Sequence, residues 1–267
     1  WQLQQGPLDL TIDAQGEADA CLAAHESCWA AFQPVLRDLV GELSTLRSPL
    51  SREGEPSQPL AGPVAQRMAK ACEPHARAGH FITPMAAVAG SVADHLIGSF
   101  RRAGVRRAYI NNGGDIALHL EPGEHWRTGV VGNAYAPSVD ADLCIEAQSE
   151  WRGIATSGWR GRSQSLGIAD SVTIVARTSA AADAAATIVA NHVNVDHPAI
   201  ERRPAHEVRD DSDLGGLPVT VAVGSLPLVA VDEALARGRA CAQSLVAQGL
   251  IAHALLSLAG RWVEVSA

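Results

Sequence analysis

Aromatic residues are scarce in this 267-residue chain, at 4% of positions against 47% hydrophobic overall. Its core must therefore close with small aliphatic side chains, alanine above all, and with few rings. Basic residues are also short: 21 Lys and Arg stand against 29 Asp and Glu, a formal net charge of −8. That balance excludes a general nucleic-acid binder, which needs surplus cations to neutralise phosphates, though it leaves room for a local basic pocket. No apolar run is long enough to span a bilayer, so no membrane role is expected. The opening residues Trp1-Gln2-Leu3-Gln4-Gln5 lack a signal peptide's basic and apolar regions, and the missing Met leaves room for residues or a removed leader ahead of Trp1. The five cysteines, Cys21, Cys28, Cys72, Cys144 and Cys241, contain no Cys-x-x-Cys pair. Such scatter suits buried thiols in a reducing compartment, excludes a disulfide framework or zinc site, and makes a cytoplasmic location the expectation. P-loop, Gly-x-Ser-x-Gly and His-Glu-x-x-His motifs are absent as well, so the common nucleotidase and hydrolase templates find no match.

What is present is an alternation of strand-like and helix-like stretches, long enough for one large domain or two intimately packed halves. Residues 8–12 alternate as a strand. Residues 18–46 have helical spacing, with Trp29, Phe32, Leu36 and Leu39 or Val40 on one face. A proline-bearing loop fills 48–63, a short helix is expected at 64–72, and Pro84 introduces a helix over 85–102. Strands follow at 107–110 and 116–120, with a returning strand at 126–131 after the Glu121-Pro122-Gly123-Glu124 turn. Further on come a strand at 171–176, a helix at 180–192 capped by Thr178 or Ser179, and a long irregular stretch at 196–218. A strand at 219–223, a helix at 231–248 and strands at 250–258 and 262–265 complete the chain. The helical stretches 85–93 and 180–190 echo each other in small residues, a hint of two similar halves.

Three constellations carry chemistry. Between two strands lies Asn111-Asn112-Gly113-Gly114-Asp115-Ile116, where paired glycines allow a tight bend and close approach by a ligand, flanked by amides and one carboxylate. An ordinary hairpin turn is the simpler reading of these residues alone. Residues 155–167 gather hydroxyls (Thr156, Ser157), glycines (Gly158 among them) and the guanidiniums of Arg160 and Arg162, a set suited to phosphate, with a solvated loop as the alternative. On the later helix Asp183 and Thr187 are four apart and share a face, half a shell for a hard cation such as magnesium or simply a helix Asp serving the dipole. His192, Asp196 and His197 have irregular spacing and read as a polar helix exit.

Taken in order, residues 85–94 leading through Gly104 to 111–116, then Ala155-Thr156-Ser157-Gly158, then Asp183-Ala184-Ala185-Ala186-Thr187 just after a strand, resemble the ApbE superfamily of FAD-dependent protein FMN transferases. The likeness is closer to a sister family of uncharacterised ApbE-like proteins, in which residues 83–90, 111–116, 155–170 and 182–191 are all typical, and it spans about Gly6 to Leu258. The resemblance implies an α+β fold of the T-fold type, one ApbE-like domain over 1–267 in which two similar halves each pack helices on an antiparallel sheet. It implies FAD or FMN between the halves, near Asn111, Asn112, Gly113, Gly114, Asp115, Thr156, Ser157, Gly158, Arg160 and Arg162, with magnesium on Asp183 and Thr187. Magnesium there would neutralise a pyrophosphate and polarise a phosphoryl group.

One departure stands out. The transferases carry a segment with His and then Asp-Pro between the Thr-Ser-Gly loop and the next strand, and residues 159–170 contain neither. Two expectations follow. The first is a magnesium-dependent, transferase-like enzyme on a flavin- or adenine-nucleotide-type small molecule, with altered chemistry. The second is a non-catalytic flavin-binding or partner protein. Kinship with the sister family adds a link to sulfur assimilation through homocysteine formation. A homo-oligomer is left open.

Overall fold

The computed structural model describes residues 1–130 and 141–266. In chain order the strands are β1 (Gln2–Gln5), β2 (Leu8–Gly16), β3 (Val105–Asn112), β4 (Asp115–Leu120), β5 (His125–Val130), β6 (Ala141–Glu146), β7 (Gly153–Ser157), β8 (Ser171–Ala176), β9 (Ile200–Pro204), β10 (Pro218–Val223), β11 (His253–Leu258) and β12 (Arg261–Ser266). The helices are α1 (Ala18–Phe32), α2 (Val35–Gly41), α3 (Leu43–Leu46), α4 (Pro63–Arg77), α5 (Val88–Leu96), α6 (Ser179–His192), α7 (Ala205–Val208) and α8 (Leu228–Ala247). Short 3-10 turns, Pro84–Ala87 and Ile97–Phe100, flank α5.

These elements group into two compact units. The first holds residues 1–128, 143–155 and 175–184. Its sheet runs β1-β2-β3-β4-β7, antiparallel at each of these pairings. Helix α1 lies against β2, and α5 lies against β3, β4 and α4. Between helices and sheet sit Leu10, Ile12, Phe32, Met68, Leu96, Phe100 and Ile110, all but removed from water. Burying each such side chain contributes about 1.5–3 kcal/mol. The second unit holds, among the described residues, 129–130, 141–142, 156–174 and 185–266. There β8, β11 and β12 are hydrogen-bonded in that order, α8 lies on β11 and β12, and β9 pairs antiparallel with β10. Antiparallel sheet overlaid with helices makes the architecture α+β, as the resemblance implies. Among the described residues no helix is long and apolar enough to cross a membrane.

Several elements differ from expectation for identifiable reasons. The helix expected over 18–46 is three helices: Pro34 has no amide to continue the ladder from α1, and α2 ends at Gly41. Phe32 and Leu39 are buried, whereas Trp29, on the same helix as Phe32, is 48% exposed and Val40, the alternative to Leu39, 59%. The helix expected over 85–102 is α-helical only over Val88–Leu96. Strand β5 does not return onto β4 but pairs with β6, while β4 takes β7 as its second neighbour through Ile116↔Ile154. The last residue of the expected strand 126–131 lies outside the described residues. The stretch 196–218, expected irregular, contains β9 and α7.

Candidate functional site

In the first unit the β3–β4 hairpin turns in two residues, Gly113 and Gly114, with φ of 68° and 113°. Such positive φ values are those that two-residue hairpins favour and glycine adopts without strain. Asn111 Oδ1 accepts the Gly114 amide at 2.8 Å, and Asn112, only 3% exposed, donates from Nδ2 to Ala89 O at 3.1 Å. These two side chains thus build the bend and dock it on α5. Asp115, paired with Asn112 across the turn, is buried.

Asp183 belongs to the same unit. It is the fifth residue of α6, just past the first turn. Thr178 caps that helix, its Oγ1 accepting the Ala181 amide at 3.1 Å. Asp183 Oδ2 accepts the Gly90 amide at 3.0 Å, and the Ala89 amide bonds the same carboxylate. Asp183 is half-buried, yet protein surrounds it deeply enough that desolvation is the first cause of a pKa well above the usual carboxylate range. The Asp115 and Asp94 carboxylates push it further up, against the two amides that favour the charge. Cys72 on α4 lies nearby: burial, then Asp183, raises its thiol, which donates to Thr83 O at 3.4 Å.

This carboxylate fits a bound cation. Burial and two like charges oppose its ionisation, and a divalent ion would supply the missing counter-charge. Thr187, one turn further along α6, is half-exposed and its hydroxyl has no hydrogen-bond partner among the described residues. No group of three or more His, Cys, Asp and Glu among the described residues is arranged to hold a metal. Any shell at Asp183 would thus draw on hydroxyl, carbonyl, water and phosphate oxygens, the ligands that suit magnesium.

In the second unit Thr156 Oγ1 bonds Thr173 Oγ1 at 2.9 Å, Ser157 is half-exposed at the end of β7, and Gly158 is buried against the Ala169–Asp170 backbone. Arg160 lies on Asp170, with Nε to Oδ1 at 2.8 Å, and its guanidinium stacks over Trp159 at 4.5 Å. Asp170 also accepts Trp159 Nε1 at 3.3 Å and the Ala259 amide at 2.7 Å. Arg162 is exposed, and its backbone carbonyl accepts from Arg209. His192 bonds Ile188 O and His197 Nδ1 accepts the Ala199 amide, consistent with a polar helix exit.

The structure thus gathers Asn112, Asp115 and Asp183 around the start of α5, and shows Arg160 engaged within its own loop. Gly90 and Asp94 escaped the sequence reading. Their signal was the matched spacing of Gly90 to Asp94 and Ser179 to Asp183 in the two echoing helices.

The sequence model of the family described as AbpE bacteria matches residues 1–264. The chain belongs to this family. Related to this AbpE bacteria member is a UPF0280 protein of Methanosphaerula palustris, 38% identical over 141 residues that cover 52% of this chain and 56% of that one. A UPF0280 protein of Archaeoglobus fulgidus is 35% identical over 141 residues, 51% of this chain and 53% of that one. The chain therefore spans about half the length of these curated relatives. Among solved structures, a variant of the flavin transferase ApbE from Vibrio cholerae matches with a TM-score of 0.53 and 13% identity, covering 100% of this chain and 96% of that one. At that identity the likeness is one of fold, and it places the AbpE bacteria chain in the ApbE-like α+β class.

Proposed function

We propose that this chain binds a flavin- or adenine-nucleotide-type ligand through a magnesium ion held on α6 by Asp183 and Thr187. The observation that carries the reading is the Asp183 carboxylate, desolvated, faced by Asp115 and Asp94, and favoured only by backbone amides. Magnesium bound there would neutralise the ligand's phosphates. The rest falls to the protein. Asp183 gives the anionic ligand, Thr187 a neutral one, and the Gly113–Gly114 turn keeps the hairpin tip clear of side chains, with open space beside Gly114. In the second unit Arg160 is held by Asp170.

Flavin transfer itself needs a proton acceptor that residues 159–170 do not offer. They contain no His, and Asp170 already accepts from Arg160, Trp159 and the Ala259 amide. The reading is therefore of a carrier or partner protein that binds without flavin transfer. Burial pushes Cys28 up to about 12 and Cys241 up to about 11 and raises Cys72 as well, which disfavours the thiolate at these three positions, so a part in sulfur assimilation would not run through them.

The test is quenching of FAD and FMN fluorescence by wild type and Asp183→Ala, with and without magnesium, beside an assay for AMP. We expect magnesium-dependent binding, weakened about 10- to 100-fold in the variant, without AMP. AMP release would restore the transferase reading, and failure to bind either flavin would overturn the proposal.

A further inference from the structure

Two helix starts in the first unit are tied to each other by carboxylates. The first two amides of α6 donate to Asp94 on α5, Ser179 N to Oδ1 at 3.1 Å and Ala180 N to Oδ2 at 2.8 Å. In the opposite sense the Gly90 amide, in the first turn of α5, donates to Asp183 Oδ2 at 3.0 Å, joined by the Ala89 amide. Each helix thus carries the acceptor for the other's unsatisfied N-terminal donors. Gly90 makes the approach feasible: a Cβ there would lie 2.3 Å from Ser179 O and 2.7 Å from Ala180 N.

We propose that Asp94 is a positioning residue for the cation site at Asp183. The inference rests on the reading that Asp183 holds a cation. Along an α-helix each residue adds about 1.5 Å of rise and about 100° of rotation, so anchoring the first two amides fixes where the fifth side chain points. Two of the roughly four acceptor positions of the Asp183 carboxylate face the α5 amides, and the clasp decides where the remainder are aimed. A metal ligand displaced by a few tenths of an ångström loses affinity, which is why groups outside the coordination shell matter. Arg67 of α4 and Thr178 lie within reach of the Asp94 carboxylate and help to hold it.

A cap that merely stabilised α6 would lower the Tm and leave ion affinity unchanged. Manganese, standing in for magnesium, permits direct titration of the full chain by the EPR signal of the free ion. Asp94→Asn should weaken manganese binding about 10- to 100-fold. Asp183→Asn should abolish the binding. Adding Asp94→Asn to Asp183→Asn should have no further effect on binding. Wild-type affinity in Asp94→Asn, with binding lost in Asp183→Asn, overturns the positioning role and leaves the cation site standing. A wild type that binds no manganese, or binding that survives Asp183→Asn, overturns both this inference and the functional reading beneath it. Should Asp94→Asn not fold, hydrogen exchange on the wild type decides. Linkage is reciprocal, so a clasp that favours the ion must be tightened by it, and magnesium should slow exchange at Ser179 and Ala180. Unchanged exchange there overturns the proposal.

Discussion

Gly90 and His75 show how single residues constrain the first unit. A methyl at Gly90 would collide with the Ser179 and Ala180 backbone, atoms that cannot swing aside. We expect Gly90→Ala to cost about 1–3 kcal/mol in urea unfolding, whereas Gly98→Ala, with nothing within 4 Å of the new Cβ, should be neutral or slightly stabilising. Loss of stability equal at the two positions would contradict the close contact. His75 is buried on α4 with Nδ1 unpartnered, and burial, then His80, pushes its pKa down to about 4. Its folded pKa lies below the unfolded one, so between those values the unfolded chain binds the extra proton. Stability is full above about pH 6.5 and falls as pH drops toward 4, by about 3 kcal/mol at most. His75→Phe should flatten that part of the pH profile in urea melts at pH 7.5 and 5, and an unaltered slope would exclude His75 as its source.

At the scale of elements, legibility followed how local the determining interactions are. β8 was readable end to end because its β-branched run is bounded by turn residues, and α6 because Thr178 caps it within the same segment. β1 was not, since Gln2–Gln5 becomes a strand only by pairing with β2. β9 and α7 were hidden by charge and proline in a stretch that pairs with β10. The candidate site divides the same way. Asp183 and the glycine bend show in the sequence, but the contact of Asp94 with α6 joins residues 85 and 86 positions apart. Arg160 was read for phosphate, but Asp170 holds it and also accepts from Trp159 and from the Ala259 amide in the β11–β12 turn, where Ala259 has a φ of 49°. Asp170→Asn should therefore destabilise by about 3 kcal/mol, because it leaves Arg160 without its counter-charge. A change below 0.5 kcal/mol, the usual size for surface sites, would show the node to be dispensable.

Across the whole molecule, composition restricted the function more than it revealed it. The acidic balance and the thin aromatic content told against nucleic acid and for a core of small residues, and buried alanines such as Ala182, Ala184, Ala185 and Ala186 on α6 show that core. The hairpin that carries Asn112 has a consequence for the ageing of the protein. An asparagine followed by glycine is the sequence most prone to lose its side-chain ammonia, because the next amide can attack the side-chain carbonyl when the backbone is free to rotate. Here the strand pairing of Asn112 with Asp115 and the bond from Nδ2 to Ala89 O hold both partners out of that geometry. Conversion of Asn112 to aspartate should then accumulate only while the chain is unfolded, and mass spectrometry of the peptide should find it after incubation in urea and not after equal incubation in the native state. The Asn112–Gly113 bond would serve as a chemical clock that runs only when the fold is lost.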